Sequence, residues 1–303
     1  MLQVRAFRGF CRKVVIMDGA HLKGQFKGTI LHAVAMDGNN QILPLAYGIC
    51  KSESGPSWTW FMEHLYECIG DIYGLTFVSD KAASIALAVG DVFPLAHHGV
   101  CAFHLLGNMV QKFGKNSKTK GLFWRLVRAF KPSEFDQVWE RFSRIRPEEA
   151  RFLLLTPREQ WTRAYCPTIR YDYLTSNSAE SMNAVSKHAR KMPILPLIEF
   201  FRPLMQKWFY NRAKAAKEST SILTKWAEKM IEKSKDEIRG WSVSGVSDTV
   251  YQVHDFKSGG IVDLSQQSCS CRYWDLTGLP CGHNQSIPYQ KQVIGKCHMT
   301  SWL

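Results

Sequence analysis

The sequence predicts an α/β fold at its N-terminal end, followed by a basic helical region and a small metal-stabilised unit. Three observations support this prediction. Short apolar segments alternate with helix-period segments over the first hundred residues, positive charge is concentrated in the middle, and a Cys/His group lies near the C-terminal end. With 303 residues, 45% of them hydrophobic, the chain can bury the core of one large or two modest domains. This composition excludes wholesale disorder.

The N-terminal region predicts three strands and then alternating helices and strands. An apolar run at 14–17 ends at Asp18, and segments 28–36 and 41–50 flank a turn at 37–40, which indicates a hairpin. Ser57 is the predicted N-cap of a helix reaching residue 68. The later elements are a strand at 75–79 that ends at Asp80, a helix at 81–89, a strand at 99–102 and a helix at 103–113. This order is typical of an α/β layer architecture of ribonuclease-H type.

The remaining chain divides into three further regions. Residues 116–175 predict a basic helical insertion, and residues 176–240 the remainder of the core with a helical extension, after a first core part at 1–115. A helix begins near Ser178, and another begins at Pro196 with an apolar stripe. It should kink or break at Pro203, because an interior proline costs about 3 kcal/mol. A polar helix at 219–239 precedes a finger at 248–290, in which strands 250–253 and 261–264 form a hairpin closed by 257–260.

The charge distribution predicts a polyanionic partner. Residues 101–240 contain 27 Lys+Arg and 14 Asp+Glu, and the flanking regions are neutral, so this block holds the whole net charge of +13. DNA is the expected partner, and a solvated helical face is the alternative. No stretch approaches 18 consecutive apolar residues, so neither a membrane span nor a membrane partner is expected. Nine cysteines, most of them scattered singly, fit reduced thiols better than a disulfide framework.

Four residues near the C-terminal end have the spacing of a structural zinc site. Cys269 and Cys271 are followed after nine residues by Cys281 and His283. Three thiolates and one imidazole form a closed tetrahedral ligand set, which leaves no open position for catalysis. The alternative is that four unrelated residues fall together by chance.

Two strand-end acids predict a second, catalytic metal site. Asp18 and Asp80 end strands that lie side by side in a sheet of this type, and Glu180 is the candidate third acid. Such carboxylates hold a pair of Mg²⁺ or Mn²⁺ ions about 4 Å apart, which favours attack by water or a 3′-hydroxyl on a phosphodiester. From the residues alone, ordinary surface carboxylates remain the alternative.

Several motifs, taken in order, carry a resemblance to a known family. They are MDGAHLKG at 17–24, PLAY at 44–47, WTWF at 58–61, SDK at 79–81, AHHGVCAFH at 96–104 and NSAESMN at 177–183. Together they resemble the Mutator-like element (MULE) transposases of plants. The stretch CSCRYWDLTGLPCGH at 269–283 resembles the SWIM zinc finger that follows the core in that family.

The resemblance implies a DDE transposase in the nucleus, acting on DNA rather than on a small molecule and commonly as a homo-oligomer. Its catalytic acids fall on Asp18, Asp80 and Glu180. Cys101 and His104 match a family signature near the catalytic pocket, where we expect them to support the site or contact DNA rather than bind metal. From the residues alone, a buried thiol and a core histidine are equally expected.

The resemblance also leaves two other functions open. Only 17 residues precede Asp18, where family members carry a DNA-binding region, and the segment after His283 contains Pro288 where they continue into a helix. We therefore expect a chain truncated at both ends. The first alternative is a catalytically inactive, domesticated or decayed relative that binds DNA or regulates transcription, as plant proteins of the far-red impaired response type do. The second is a protein-interaction module built around the finger.

Overall fold

A five-stranded mixed sheet organises the first hundred residues. The structure is a computed structural model that describes residues 2–235, 238–257 and 259–288. The strands are β1 (Val14–His21), β2 (Thr29–Met36), β3 (Ile42–Cys50), β4 (Thr76–Ser79) and β5 (His97–Val100). Their order is β3-β2-β1-β4-β5, in which β1, β2 and β3 are antiparallel and β4 and β5 are parallel to β1. The predicted hairpin and the predicted adjacency of the two acid-bearing strands are confirmed.

Both faces of this sheet are buried, which explains the continuous apolar run of β1. Alternate residues of a strand point to opposite faces. Val15 and Met17 pack against α1 (Leu2–Phe10), α2 (Gly55–Ile69) and α3 (Ala83–Val92). Val14 and Ile16 belong to the opposite apolar cluster, with residues of α9 (Asn177–Val185) and α10 (Ile194–Glu218). The fold is therefore a three-layer α/β/α arrangement.

Several predicted boundaries are wrong by a few residues, and one shift concerns the site. Strand β1 continues past Asp18 to His21, because its pairing with β2 continues as far as the His21–Thr29 pair. Asp18 therefore lies within the strand rather than at its end. Helix α2 begins at Gly55 with Ser54 as its N-cap instead of Ser57, and Pro56 occupies the first turn, where no backbone bond is lost.

The region predicted as a helical insertion is helical, and its apolar residues form one cluster with residues of β5 and of the helix that follows it. It follows α4 (Ala102–Phe113) and contains α5 (Ser117–Arg128), α6 (Pro132–Ile145), α7 (Pro147–Leu154) and α8 (Arg158–Trp161). Phe123, Phe135, Phe142 and Trp161 are fully buried in it. Pro132 and Pro147 start helices, as proline at the first helical position should.

Of the kink or break expected at Pro203, the break is wrong, because α10 runs through it as one helix of 25 residues, and the kink stays a prediction. Pro203 removes a backbone bond to the carbonyl of Glu199, and both residues are exposed, so water can bond that carbonyl instead. Of the predicted stripe, Leu197 and Phe201 are fully buried. The following helix, α11 (Lys225–Lys235), is shorter than predicted, and residues 236 and 237 lie outside the described part. It begins where Thr224 Oγ1 accepts a bond from the Ala227 N–H.

The last unit is a four-stranded sheet with two short helices. It contains β6 (Ser242–Gly245), β7 (Val250–His254), β8 (Gly260–Asp263), β9 (Ser268–Cys269), α12 (Tyr273–Thr277) and α13 (Gly282–Ser286). The predicted hairpin is β7–β8; Ser258 in its predicted turn and all residues after Pro288 lie outside the described residues. Arg272 Nη1 donates to the Ala164 carbonyl at 2.7 Å, which ties this unit to the insertion. No helix in the described ranges is long and apolar enough to cross a membrane.

Candidate functional site

The three predicted acids come from two adjacent strands and one helix. Ile16 of β1 pairs with Val78 of β4 in parallel register; Asp18 lies two residues farther along β1, and Asp80 directly follows the end of β4. The two carboxylates are close enough for the charge of Asp80 to act on Asp18. Glu180 lies in the first turn of α9, which packs on β1 and β2. Residues that are distant in sequence therefore lie close together beside β1 and the end of β4, in the middle of the sheet.

The electrostatics of Asp18 reflect this proximity. The pKa of Asp18 is raised to about 7, chiefly by burial; the charge of His104 opposes this shift, and the negative charges of Glu180, Glu53 and Asp80 add to it. Among the described residues, the carboxylate oxygens of these acids are nevertheless not gathered closely enough to bind one ion together. Within the described residues, only the Cys/His group near the C-terminal end brings three or more ligand atoms close enough to hold one ion.

Each acid has a neighbour that fixes its orientation. Asn183 Nδ2 donates to Asp18 Oδ2 at 2.7 Å. Asp80 Oδ1 accepts from the Ala82 N–H at 3.0 Å, which anchors it at the start of α3. Ser176 Oγ donates to Glu180 Oε1 at 3.2 Å. The three carboxylates are thus held by bonds that leave their other oxygens available to a cation.

Cys101 and His104 belong to the hydrogen-bonded surroundings of Glu180. The Ser176 N–H donates to Cys101 Sγ at 3.2 Å, and Ser176 Oγ lies 3.3 Å from the same sulfur and 3.4 Å from His104 Nδ1. His104 Nε2 lies 3.9 Å from Glu180 Oε1. The pKa of His104 is raised to about 9, chiefly by the hydrogen bond with Cys101; burial opposes this shift, and the nearby carboxylates of Glu180 and Asp18 contribute to it.

The two residues of this pair differ in exposure. Cys101 is fully buried, as the buried-thiol interpretation expects. His104 is 37% exposed and faces an equally accessible Glu180, so it is not a core histidine. Its location beside the predicted acid is that expected from the resemblance, whereas its role there stays a prediction.

Glu53 is a fourth acid that the sequence interpretation missed. It lies in the loop between β3 and α2, and its carboxylate fills the space where a side chain at Gly19 would be, with Cδ 2.7 Å from an ideal Cβ. Burial and the charge of Asp80 raise the pKa of Glu53. The signal in the sequence is an acid just after a strand and before a helix, which is too common to single out.

The predicted zinc ligands form a compact group. The ligand atoms of Cys269, Cys271, Cys281 and His283 all lie within 4.8 Å of one another. His283 presents Nδ1 to Cys269 Sγ at 3.6 Å, and Asp255 Oδ2 lies 3.2 Å from its Nε2. This is the arrangement in which a carboxylate orients a metal-binding imidazole. Three thiols and one imidazole, three of them buried, match the donor set that Zn²⁺ prefers.

Two family models match the chain at these sites. Residues 14–108 match the MULE transposase domain, and residues 255–283 match the SWIM zinc finger. The chain therefore contains a MULE transposase domain and a SWIM zinc finger. Asp18 and Asp80 lie within the first match and all four Cys/His residues within the second, whereas Glu180 lies outside both. No curated protein matches the chain.

Solved structures show a distant similarity. The chain is similar to one chain of the simian T-cell lymphotropic virus intasome in complex with PP2A regulatory subunit B56 gamma, with 8% identity and a TM-score of 0.24 over 57% of this chain and 67% of that one. It is also similar to the catalytic domain of the Mos1 mariner transposase, with 15% identity and a TM-score of 0.22 over 50% and 85%. Similarity at this level decides nothing about the chemistry of this chain.

Proposed function

We propose that this protein is a DDE-type DNA transposase, or an enzyme derived from one, that cuts and joins DNA phosphodiesters in a ribonuclease-H-like core. The observation that carries the proposal is the register of β1 and β4, which presents Asp18 and Asp80 side by side within the MULE transposase domain. Glu180 on α9 supplies the third acid, and its charge acts on Asp18.

The residues of the site have different roles in this proposal. Asp18, Asp80 and Glu180 would hold two Mg²⁺ or Mn²⁺ ions, the hard cations that carboxylate oxygens favour. Bound there, the ions would activate the attacking oxygen and stabilise the leaving oxygen. Asn183, Ala82 and Ser176 hold the three carboxylates in place through the bonds described above. His104, beside Glu180, offsets part of the negative charge that the acids impose on one another.

The remaining assignments follow from the substrate. The basic block at 101–240 supplies positive charge for the DNA backbone, so its binding should weaken steeply with salt. We place the protein in the nucleus because its substrate is chromosomal DNA, and we include self-association in the proposal. The SWIM finger would hold one structural Zn²⁺ through Cys269, Cys271, Cys281 and His283, with no catalytic part.

A strand-nicking assay on supercoiled DNA with Mg²⁺ or Mn²⁺ tests this function. We expect Asp80→Asn and Glu180→Gln to lower the rate by at least about a thousandfold, since each removes a charge that holds the catalytic ions. Asp91→Asn is the matched control, because Asp91 is exposed at the end of α3 away from the other acids. Equal nicking by the wild-type protein and Asp80→Asn overturns the proposal.

A second function is favoured by one observation. Among the described residues the acids do not converge as tightly as the zinc ligands do, which fits a transposase relative that binds DNA or regulates transcription without cutting it. That function predicts no metal-dependent nicking by the wild-type protein, together with a gel shift that Asp80→Asn retains in EDTA.

A further inference from the structure

Two exposed lysines from distant parts of the chain meet over one aromatic ring beside the acids. Lys81 Nζ lies 5.8 Å from the centroid of the Phe152 ring, and Lys112 Nζ lies 5.6 Å from the same centroid. Phe113 packs edge-on against Phe152 at 5.9 Å, and Lys112 also lies 5.4 Å from the Phe113 ring. We call Lys81 and Lys112 the lysine pair. Its two charges lie roughly within a Debye length of each other, about 10 Å at 0.1 M salt.

The charge of the lysine pair is uncompensated. Over the described ranges, neither Lys81 nor Lys112 has a carboxylate within ion-pair distance. Arg151, one residue from Phe152, by contrast pairs with Glu148. Two like charges on a shared aromatic surface repel each other, so an anion between them would relieve the repulsion.

The position of the pair connects it to the acids. Lys81 directly follows Asp80. Lys112 lies on α4 eight residues after His104, with Asn108 between them, so all three share one face of that helix. Eight residues of α-helix rise about 12 Å, the axial length of three to four nucleotides of one DNA strand at about 3.4 Å each. The face thus leads from Glu180, which His104 contacts, to the lysine pair.

A DNA strand needs such cations at this place. Asp18, Asp80, Glu180 and Glu53 act on one another electrostatically and would repel an approaching phosphate backbone. Lysine ammonium groups beside the acids oppose that repulsion, and the half-buried rings of Phe113 and Phe152 offer apolar contact to bases and sugars. The arrangement therefore fits a polynucleotide better than a compact anion.

We propose that Lys81 and Lys112 form a phosphate-binding site that holds the DNA strand as it enters the acid cluster, supported by Phe113 and Phe152. This site rests on the proposed function insofar as both require DNA as the ligand. It adds the path of the DNA strand, which runs along the face of α4 from His104 to Lys112 and past Phe152 of α7.

The test is the salt dependence of duplex DNA binding without divalent ions. Fluorescence anisotropy of a labelled 30-base-pair duplex in EDTA, over about 50 to 200 mM salt, gives the slope of log K against log [salt]. For Lys81→Gln/Lys112→Gln we expect a slope smaller in magnitude by about 1.8, and binding weaker by about tenfold or more at 0.1 M salt. Lys81→Arg/Lys112→Arg should keep both values, because the charges remain.

Lys214→Gln is the matched control. Lys214 is equally exposed on basic helix α10, but Glu218 lies 3.9 Å from it and already offsets its charge, so the slope should not change. The phosphate site is overturned if the double Gln variant keeps the wild-type slope, or if the double Arg variant loses binding as the double Gln variant does. Either result leaves the proposed DNA function standing. If the wild-type protein fails to bind the duplex at 50 mM salt, the proposed DNA function falls with it, whereas absent nicking with intact binding leaves this inference standing.

Discussion

The two candidate metal centres of this protein are built in opposite ways. The zinc ligands come from a stretch of fifteen residues, and their ligand atoms already lie within 4.8 Å of one another. The acids come from β1, the end of β4, the loop after β3 and the start of α9, and they are held apart as separate, mutually repelling charges. Soft, close ligands form a closed site, whereas separated carboxylates leave room for a substrate.

This difference predicts how each centre depends on its metal. Structural zinc is part of the folding free energy of a small unit, and apparent binding free energies of zinc-finger peptides are about 10–16 kcal/mol. The acid cluster rests on a sheet that is buried on both faces, so its fold does not depend on cations. The predictions below test this contrast.

The largest effect is expected from Cys281→Ser. Removal of one thiolate opens the zinc site, so we expect the bound zinc to fall from one ion per chain to none and residues 242–288 to become sensitive to protease. Elemental analysis and limited proteolysis measure the two changes. Cys68→Ser, at an exposed cysteine of α2, should change neither. A Cys281→Ser protein that keeps one zinc and its protease resistance would contradict a folding role for zinc.

A smaller effect is expected from Asp255→Asn. Asp255 orients His283 by contact with Nε2, and loss of such a partner weakens metal binding about 10- to 100-fold. Competition with a chromophoric zinc chelator measures the affinity. Asp263→Asn is the control, because Asp263 accepts turn bonds from Ser265 and Gln266 in the same unit. Equal affinities of the two variants would show that the Asp255 contact does not orient the ligand.

Glu53→Gln tests whether the acid cluster includes the fourth carboxylate. The Glu53 charge acts on both Asp18 and Asp80, so its removal should weaken Mn²⁺ binding about tenfold through lost Coulomb attraction. Electron paramagnetic resonance of free Mn²⁺ measures this affinity. Glu63→Gln, at an exposed position of α2, should leave it unchanged. If Glu53→Gln binds Mn²⁺ as tightly as the wild-type protein, Glu53 does not contribute to Mn²⁺ binding by the other three acids.

The smallest effect concerns the sheet beneath the acids. The pKa of His98 is lowered to about 4, chiefly by burial and in smaller part by the charges of His97 and Arg170; its Nε2 lies 2.8 Å from Ser79 Oγ. The unfolded chain binds the proton near pH 6.5 and the native chain only near pH 4, so the free energy of unfolding falls as the pH drops between them. We expect His98 to contribute a loss of about 1 kcal/mol between pH 7 and pH 5.5.

Urea unfolding of the wild-type protein and His98→Gln at both pH values isolates this contribution. The variant should lose less stability in acid, whereas His64→Gln, at an exposed position of α2, should behave as the wild-type protein does. Identical pH dependence in wild type and His98→Gln would assign the acid sensitivity to another region, such as the finger.

The sequence alone determined the features that depend on neighbours along the chain. The zinc ligand set follows from one-residue spacings at 269–271 and 281–283, and the strand and helix order follows from local apolar periodicity. The basic character of residues 101–240 is a property of composition. Strand and helix ends were less well determined. Asp18 lies within β1 because the pairing of β1 with β2 continues past it, and α10 continues through Pro203 because water can bond the carbonyl of Glu199.

The tertiary structure alone decided which distant residues surround the acids. Glu53 enters the cluster because Gly19 leaves space for its carboxylate, and Ser176 at the start of α9 links Cys101, at the start of α4, to Glu180 of α9. Lys81 and Lys112 become a pair because α7 places Phe152 between a core loop and α4. Such contacts join residues tens of positions apart, and no local spacing encodes them. They arise from the packing of helices on a shared sheet, which sets distances between residues that local sequence periodicity does not predict.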